Sequence, residues 1–246
     1  MLKNRIFSGL GSSLEWFDFA LYGYFGNIFS KVFFSHANSK TWEAILATYL
    51  IFFIGFAARP VGALIFGYIG DKFGRVISLR ITPVLITLTT IMLACLPTYH
   101  AVGNFAILLL ALTRIIQGIL IGGEFAGNIV YLCESTKKWK YLLGSLASCS
   151  GSLGIILASL VASIFYSTFS THFMYTNGWR LAFLLSVPIG LTAFFIRLKM
   201  TESEEFSKKR ASKNPFLITI KHYKKKLLLL LGLICLHATS FYFVFM

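Results

Sequence analysis

Seven long apolar runs constrain the fold of this chain more than any other feature of its sequence. A helix needs about 20 mostly apolar residues to cross the hydrocarbon core of a bilayer. The runs lie at roughly Ser13–Phe34, Ile45–Ile69, Ser78–Pro97, Phe105–Cys133, Tyr141–Phe169, Trp179–Lys199 and Leu227–Met246. They do not alternate with period two, and backbone polar groups in lipid need internal partners, so the sequence predicts membrane-spanning α-helices rather than strands.

The composition excludes a soluble protein. Hydrophobic residues make up 57% of the 246 residues and charged residues only 13%, whereas a soluble domain has about 25% charged residues. The four cysteines lie in apolar stretches and lack the paired spacing of a zinc site. The sequence shows no nucleophile–base set, metal-ligand cluster or phosphate-binding loop, so we expect neither an enzyme nor a bound metal or cofactor.

The basic residues predict an orientation in the membrane. The net charge is +14. With a cytoplasmic N-terminus, 18 of the 23 Lys and Arg residues fall on the inner side, ten of them in Arg197–Lys226, and three fall in the outer loops. Cytoplasmic loops carry an excess of Lys and Arg. We therefore expect a multi-pass protein of the cytoplasmic (inner) membrane, and no nucleic-acid partner is needed to explain the charge.

The spacing of the spans predicts three regions. Residues 1–200 form a six-helix unit, residues 201–226 a basic cytoplasmic linker, and residues 227–246 a seventh transmembrane helix that looks truncated. The linker is long and polar compared with the other loops. Its run Lys224–Lys226 suits contact with lipid headgroups.

Five ionisable residues fall inside the apolar spans or at their edges, namely Glu15, Asp18, Arg59, Arg114 and Glu124. A charge at the bilayer centre costs about 2.5–3.5 kcal/mol on insertion scales. Such residues usually face the interior of a helix bundle or a hydrated cavity. The alternatives are a structural ion pair or a charge at the membrane interface.

Helical periodicity gathers four of these residues, all except Arg59, on two faces. At about 100° per residue, they form stripes made of Glu15, Asp18 and Tyr22 in the first span and of Arg114, Gln117, Ile121, Glu124 and Asn128 in the fourth. A polar stripe on an apolar helix predicts a helix that lines an internal pathway. Carboxylates on such a stripe can take up and release protons, and a neighbouring arginine can act as a switch.

Small residues at regular spacing predict close contacts between helices. They lie at Gly118, Gly122, Gly123 and Gly127 in the fourth span and at Gly144, Ser148, Gly151 and Gly154 in the fifth. Small residues let helix backbones approach one another. Static packing is the favoured interpretation, and a contact that slides during transport is the alternative.

Two motifs resemble signatures of the major facilitator superfamily. The loop GYIGDKFGRVISL (Gly67–Leu79) is similar to the superfamily pattern G-x-L-a-D-r-x-G-r-k-x-x-l, although Val76 stands where a basic residue is usual. The segment LALTRIIQG (Leu110–Gly118) is similar to the pattern l-x-x-x-R-x-x-q-G of the fourth helix.

Longer segments resemble the metabolite:proton symporter branch, which includes proline/betaine, 2-oxoglutarate, shikimate and citrate transporters. They are EWFDFALYGYF (Glu15–Phe25), ARPVGALIFGYIGDKFGR (Ala58–Arg75) and RIIQGILIGGEFAG (Arg114–Gly127). After the sixth helix this branch commonly has E-S-P-x-F. Glu202, Ser203 and Phe206 match this pattern, whereas Glu204 replaces the proline.

The resemblance implies an all-α membrane fold and proton-coupled symport of a small polar metabolite, with the proton as coupling ion and no cofactor. It assigns the substrate and proton pathway to Glu15, Asp18, Tyr22, Arg59, Arg114, Gln117 and Glu124. It assigns an inner gate to Gly67, Asp71, Lys72, Gly74, Arg75, Arg80 and Glu134. A zwitterionic osmolyte such as proline or betaine is the favoured substrate, and a dicarboxylate or another organic acid is the alternative.

Members of this superfamily have two six-helix halves, each built from 3+3 inverted repeats, with the substrate between them. The resemblance therefore makes this chain the N-terminal half plus one further transmembrane helix. We expect a truncated product of a symporter gene. The alternatives are a functional half completed by a separate chain or by self-association, and a membrane protein that does not transport.

Overall fold

The computed structural model describes residues 12–34, 41–134, 139–202 and 215–245 of the chain. Within these ranges the structure contains helices and no strands. The helices are α1 Ser13–Tyr24, α2 Gly26–Phe33, α3 Thr41–Phe73, α4 Arg75–Ala94, α5 Tyr99–Val102, α6 Asn104–Glu134, α7 Lys140–Thr168, α8 Thr171–Phe173, α9 Trp179–Leu184, α10 Ser186–Leu198 and α11 Pro215–Phe245. A π-helical turn, Met174–Gly178, joins α8 to α9.

The helices confirm the all-α membrane fold. In the described part of the chain, five helical segments are long and apolar enough to cross a membrane: Thr41–Phe73, Arg75–Ala94, Asn104–Glu134, Lys140–Thr168 and Thr171–Leu198. They correspond to the predicted spans two to six. The first predicted span is divided at Phe25 into α1 and α2, of 12 and 8 residues, and each piece alone is shorter than a membrane span.

The chain divides into two compact units, residues 1–209 and 210–246. The second unit contains α11, which has non-helical backbone angles at Tyr223. This helix begins at Pro215, inside the segment predicted as a linker. Residues 203–214 of that segment lie outside the described residues. Residues 12–202 contain the candidate site.

The tightest helix contact in the first unit joins α3 and α6. A Cβ atom added at Gly118 would overlap the Gly55 carbonyl oxygen, and one added at Gly62 would overlap the Ile119 carbonyl oxygen. Both helices contribute glycines, so their backbones touch directly. Close packing predicted for the fourth span is thereby confirmed, and it fixes the glycine face of α6 against α3.

A second small-residue contact joins α7 to α1. A Cβ atom at Gly151 would lie 2.9 Å from the Trp16 indole nitrogen, and one at Gly154 would overlap the Ser13 carbonyl oxygen. The glycines of the fifth span therefore pack against the helix that carries Glu15 and Asp18. This contact positions α1 along one side of α7.

Two arginines tie α4 to the α9–α10 segment at opposite ends. Arg80, near the start of α4, donates to three backbone carbonyl groups within residues 197–200, at 2.7–3.2 Å. Arg180, near the start of α9, donates to the carbonyl groups of residues 94 and 96, at 2.5 and 2.6 Å. The last carbonyl groups of a helix have no partner within it. Each arginine therefore satisfies the end of the neighbouring helix.

Replacing Gly118 with alanine tests the α3–α6 contact. We expect Gly118→Ala to lower the free energy of unfolding by about 1–3 kcal/mol, because the added methyl group overlaps backbone that cannot rotate away. Gly23→Ala is the matched control, since a methyl group there meets no atom within 4 Å. Unfolding in mixed micelles, followed by tryptophan fluorescence, measures both. Equal midpoints for the two variants would contradict a direct backbone contact.

Candidate functional site

A buried arginine without a full set of acceptors lies near the middle of α6. The Arg114 side chain is 3% exposed, and its guanidinium carbon lies 3.9 Å from the centre of the Tyr22 ring. Among the described residues its Nε and Nη2 atoms have no hydrogen-bond acceptor. The Tyr22 hydroxyl points away and donates to the Thr48 carbonyl oxygen at 3.2 Å. The guanidinium is therefore held on an aromatic face with donors available to another group.

Asp18 lies beside this arginine. The Thr90 hydroxyl donates a hydrogen bond to Asp18 Oδ2, and Gln117 Nε2 lies 3.3 Å from the Thr90 oxygen. Asp18 and Arg114 interact electrostatically. Helices α1, α4 and α6 thus bring predicted site residues together. We call Asp18, Tyr22, Thr90, Arg114 and Gln117 the arginine cluster.

A second group of buried charges lies further along α6. Arg197 Nη2 lies 2.5 Å from Glu124 Oε1, with the two side chains 0% and 1% exposed. Arg197 Nη1 also donates to the Leu79 carbonyl oxygen at 3.0 Å. Glu15 and Glu124 are each 1% exposed, and the two carboxyl groups interact electrostatically. We call Glu15, Glu124 and Arg197 the glutamate cluster.

Arg197 was counted among the basic residues on the predicted inner side, and the structure shows that it is not a solvated loop residue. Its side chain is fully buried and paired. A signal was present in the sequence, because the buried face of α10 consists of Ser186, Gly190, Ala193 and Arg197. This is helical spacing of small residues that ends in the arginine.

Asn128, from the predicted stripe of the fourth span, donates a hydrogen bond to the Ser12 hydroxyl at 3.0 Å.

Arg59 is more exposed than the other residues of the predicted substrate and proton pathway, which are buried. Its guanidinium lies over the rings of Phe56 and Phe19, at 4.2 and 4.4 Å, and over Trp16 at 5.3 Å. Arg59 lines a depression of about 310 Å³ between α1, α3 and α6. Trp16 of α1 and Phe125 of α6 also line it. Arg59 also interacts electrostatically with Glu15. Arg59 therefore links the lining of the depression electrostatically to Glu15.

The predicted inner gate is only partly assembled as one group of charges. Asp71 pairs with Arg75 at 2.7 Å, and Glu134 lies 3.6 Å from the Arg75 Nε. Lys72 instead contacts the Tyr68 hydroxyl, 3.1 Å away. Arg80 binds the end of α10, as described above, and a Cβ atom at Gly67 would meet nothing within 4 Å. The ion pairs thus join the start of α4 to the end of α6.

Glu202 joins this region although the sequence analysis noted it only as a motif match. Its Oε1 atom accepts a hydrogen bond from the Val76 backbone nitrogen at 2.8 Å, in the first turn of α4. Gly74 has φ +121°, and a Cβ atom there would overlap Glu202 Oε1. Glycine is required at position 74 both for its backbone angle and for this contact.

Buried charged groups on facing helices of a membrane bundle mark substrate or ion pathways in membrane proteins. The family model described as sugar (and other) transporter matches residues 6–214 of the chain. The chain belongs to this family of the major facilitator superfamily. Members of the family are transporters and not enzymes, as the sequence analysis predicted.

Curated relatives match the same region. The chain is 36% identical over 205 residues to a putative proline/betaine transporter of Staphylococcus aureus (strain COL), covering 83% of this chain and 44% of the relative. It is 33% identical over 201 residues to the proline/betaine transporter of Salmonella typhimurium, covering 81% and 40%. The chain therefore spans less than half the length of the curated relatives it matches.

Solved structures share the fold. The partially occluded inward-open xylose transporter XylE from E. coli superposes with a TM-score of 0.74 at 20% identity, covering 82% of this chain and 50% of that one. The structure of the proton:xylose symporter XylE bound to 6-bromo-6-deoxy-D-glucose gives a TM-score of 0.76, covering 83% and 46%. The helices within residues 12–202 therefore form one six-helix half of a major facilitator fold.

Substitutions at two glycines with positive φ separate backbone strain from the contact with Glu202. Gly74→Ala and Gly103→Ala both place alanine at a positive φ, but only at Gly74 does the methyl group meet another side chain. We expect Gly74→Ala to cost at least about 1 kcal/mol more than Gly103→Ala. Thermal unfolding of the two variants in detergent measures the difference. Equal losses would show that Glu202 does not pack against the turn.

The ion pair in the glutamate cluster predicts strong coupling between Arg197 and Glu124. We expect Arg197→Met to destabilise the fold by about 3–5 kcal/mol, because it leaves buried carboxyl groups without their counter-charge. The double variant Arg197→Met/Glu124→Met recovers part of this loss. Chemical unfolding of the two single variants and the double variant gives the coupling energy. Additive losses would contradict a direct pair.

Proposed function

We propose that this chain supplies the N-terminal half of a proton-coupled symporter for a small zwitterionic osmolyte of the proline or betaine type. The observation that carries the proposal is the buried Arg114 guanidinium, which has hydrogen-bond donors without acceptors among the described residues. Arginine binds carboxylates through charge-assisted hydrogen bonds. A substrate carboxylate is the group that this position fits best.

The arginine cluster carries both signs of charge. Asp18 lies within electrostatic range of Arg114, so a ligand with a carboxylate and an ammonium group finds an opposite charge for each end. A dicarboxylate would need a second cation, and Arg59 is the nearest candidate from the predicted pathway. The names of the curated relatives, which include proline/betaine transporters, support the zwitterion.

Proton coupling is proposed from the buried carboxyl groups of Glu15, Asp18 and Glu124, each 1% exposed. No cofactor is needed, because a proton gradient supplies the energy. One structural neighbour is titled a proton:xylose symporter. The charge bias of the loops supports a cytoplasmic N-terminus in the cytoplasmic membrane and, with it, an inner position for the Gly74 turn.

Transport also needs the second half of the fold. In this superfamily the substrate lies between two six-helix halves, and the depression beside Arg59 is open on the described half. We propose that a second half closes it, either on a continuous polypeptide or on a separate chain. A membrane protein that does not transport is the alternative, and it predicts no role for Arg114 in any uptake.

A chimera tests this function. The part of this chain that matches the Staphylococcus aureus relative over 205 residues replaces the corresponding part of that relative. The chimera is expressed in cells that lack proline and betaine uptake. We expect uptake of radiolabelled betaine or proline that a protonophore abolishes. Arg114→Gln is expected to reduce uptake by about 10- to 100-fold, from the loss of hydrogen bonds to a charged group.

Lys31→Gln is the control variant, because Lys31 is exposed at the end of α2, and its uptake should equal that of the unmodified chimera. Uptake of succinate in place of betaine would favour the organic-acid alternative. Full membrane insertion without uptake of any of these compounds would favour the alternative that does not transport.

A further inference from the structure

We propose that the arginine cluster selects zwitterions whose ammonium group carries N–H donors, such as proline, over zwitterions with a quaternary ammonium group, such as betaine, and that Gln117 sets this selectivity. The inference rests on the proposed function, because it names the substrate class of that same site. The names of the relatives give proline and betaine together and do not separate the two classes. The acceptor atoms of the cluster separate them.

The hydrogen bonds of Thr90 determine the orientation of the Gln117 side-chain amide. A hydroxyl group has a single proton to donate, and the acceptors next to the Thr90 hydroxyl are Asp18 Oδ2 and the Ile86 carbonyl oxygen. Whichever of them binds the proton, the Thr90 oxygen can only accept from Gln117, whose Nε2 atom lies 3.3 Å away. The amide nitrogen therefore faces Thr90, and the amide oxygen Oε1 lies on the other side of the group.

Two buried acceptor atoms of the cluster have no donor. Gln117 Oε1 and Asp18 Oδ1 have no hydrogen-bond partner among the described residues, and the two residues are 3% and 1% exposed. The hydroxyl group of Ser186, beside Asp18, donates instead to the Phe183 carbonyl oxygen at 2.7 Å. A buried acceptor without a donor is costly. A ligand that brings N–H groups to the cluster supplies what these two oxygens lack.

The donors for the other end of the zwitterion lie one helical turn away. Arg114 Nε and Nη2 have no acceptor among the described residues, and Gln117 follows Arg114 by three residues on α6. Side chains at this spacing are neighbours, with about 5–6 Å between their Cβ atoms. In proline the carboxylate and the ammonium nitrogen are bonded to the same carbon. The donors of Arg114 and the acceptor of Gln117 therefore suit the two ends of one small ligand.

The aromatic ring of the cluster is already used by the arginine. Quaternary ammonium groups have no N–H donor and are recognised by aromatic faces. The Arg114 guanidinium carbon lies 3.9 Å from the centre of the Tyr22 ring and 5.7 Å from that of Phe183. The Tyr22 ring also packs against Phe29 and Phe52, with centres 4.5 and 5.6 Å apart. A quaternary ammonium group would have to displace one of these contacts, whereas an N–H donor would not.

A series of proline derivatives tests the selectivity without any substitution in the protein. Proline carries two N–H groups on its nitrogen, N-methylproline carries one and N,N-dimethylproline none, and all three keep the ring and the carboxylate. Displacement of radiolabelled proline from the chimera in membrane vesicles measures their affinities. We expect N,N-dimethylproline to bind about 10- to 100-fold more weakly than proline, with N-methylproline between them, because buried acceptors lose their donors.

Substitutions at positions 117 and 90 separate hydrogen bonding from ligand size. Gln117→Leu keeps a side chain of similar size without an acceptor, and we expect it to weaken proline binding about tenfold while the binding of N,N-dimethylproline changes little. Thr90→Val removes the hydroxyl group that orients the amide, so it lowers the discrimination too, whereas Thr90→Ser keeps the hydroxyl and the discrimination. Lys31→Gln is again the control, with all three affinities unchanged.

Equal affinities for proline and N,N-dimethylproline would overturn the selectivity. Undiminished discrimination in Gln117→Leu would overturn it as well, because ligand size would then be the cause. Betaine uptake by a chimera that does not bind proline refutes the selectivity alone and leaves the proposed symport intact. The expected series of affinities in a chimera without uptake supports the selectivity and refutes the symport alone. A chimera that neither binds proline nor takes up betaine refutes both.

Discussion

The ion pair between Arg197 and Glu124 is the interaction on which the interior of this bundle depends. A bilayer offers no water to solvate a charge, so each buried ionic group needs a partner from another helix. Arg197 on α10 meets Glu124 on α6 and the Leu79 carbonyl of α4. Three helices are thereby joined at one point.

Close backbone packing makes this arrangement possible. The glycines of α3, α6 and α7 leave no side chain at the α3–α6 and α1–α7 contacts, so the backbones of these helices lie close together. The arginines at positions 80 and 180 hold the ends of α4 and α10. Charge and packing therefore support each other, because the glycines bring the helices close and the charges determine which faces meet.

The sequence predicted the presence of the helices more accurately than the residues at which they begin and end. The second span was placed at Ile45–Ile69, whereas α3 runs over Thr41–Phe73, because hydropathy marks the part of a helix in hydrocarbon and the helix continues into polar residues. The division of the first span at Phe25 was not predicted. Glu202 was visible only as a motif match, because its contact with α4 spans 126 residues.

The sequence by itself determined the membrane fold and which residues could not face lipid, because span length, glycine spacing and the cost of buried charge are local properties. Only the tertiary structure decided the pairing of those residues. Arg197 and Glu124 are 73 residues apart, and the Arg114 guanidinium rests on a tyrosine of another helix. Such pairs form only when the helices pack, so helical spacing could place Arg197 on the face of small residues of α10 but could not name Glu124 as its partner.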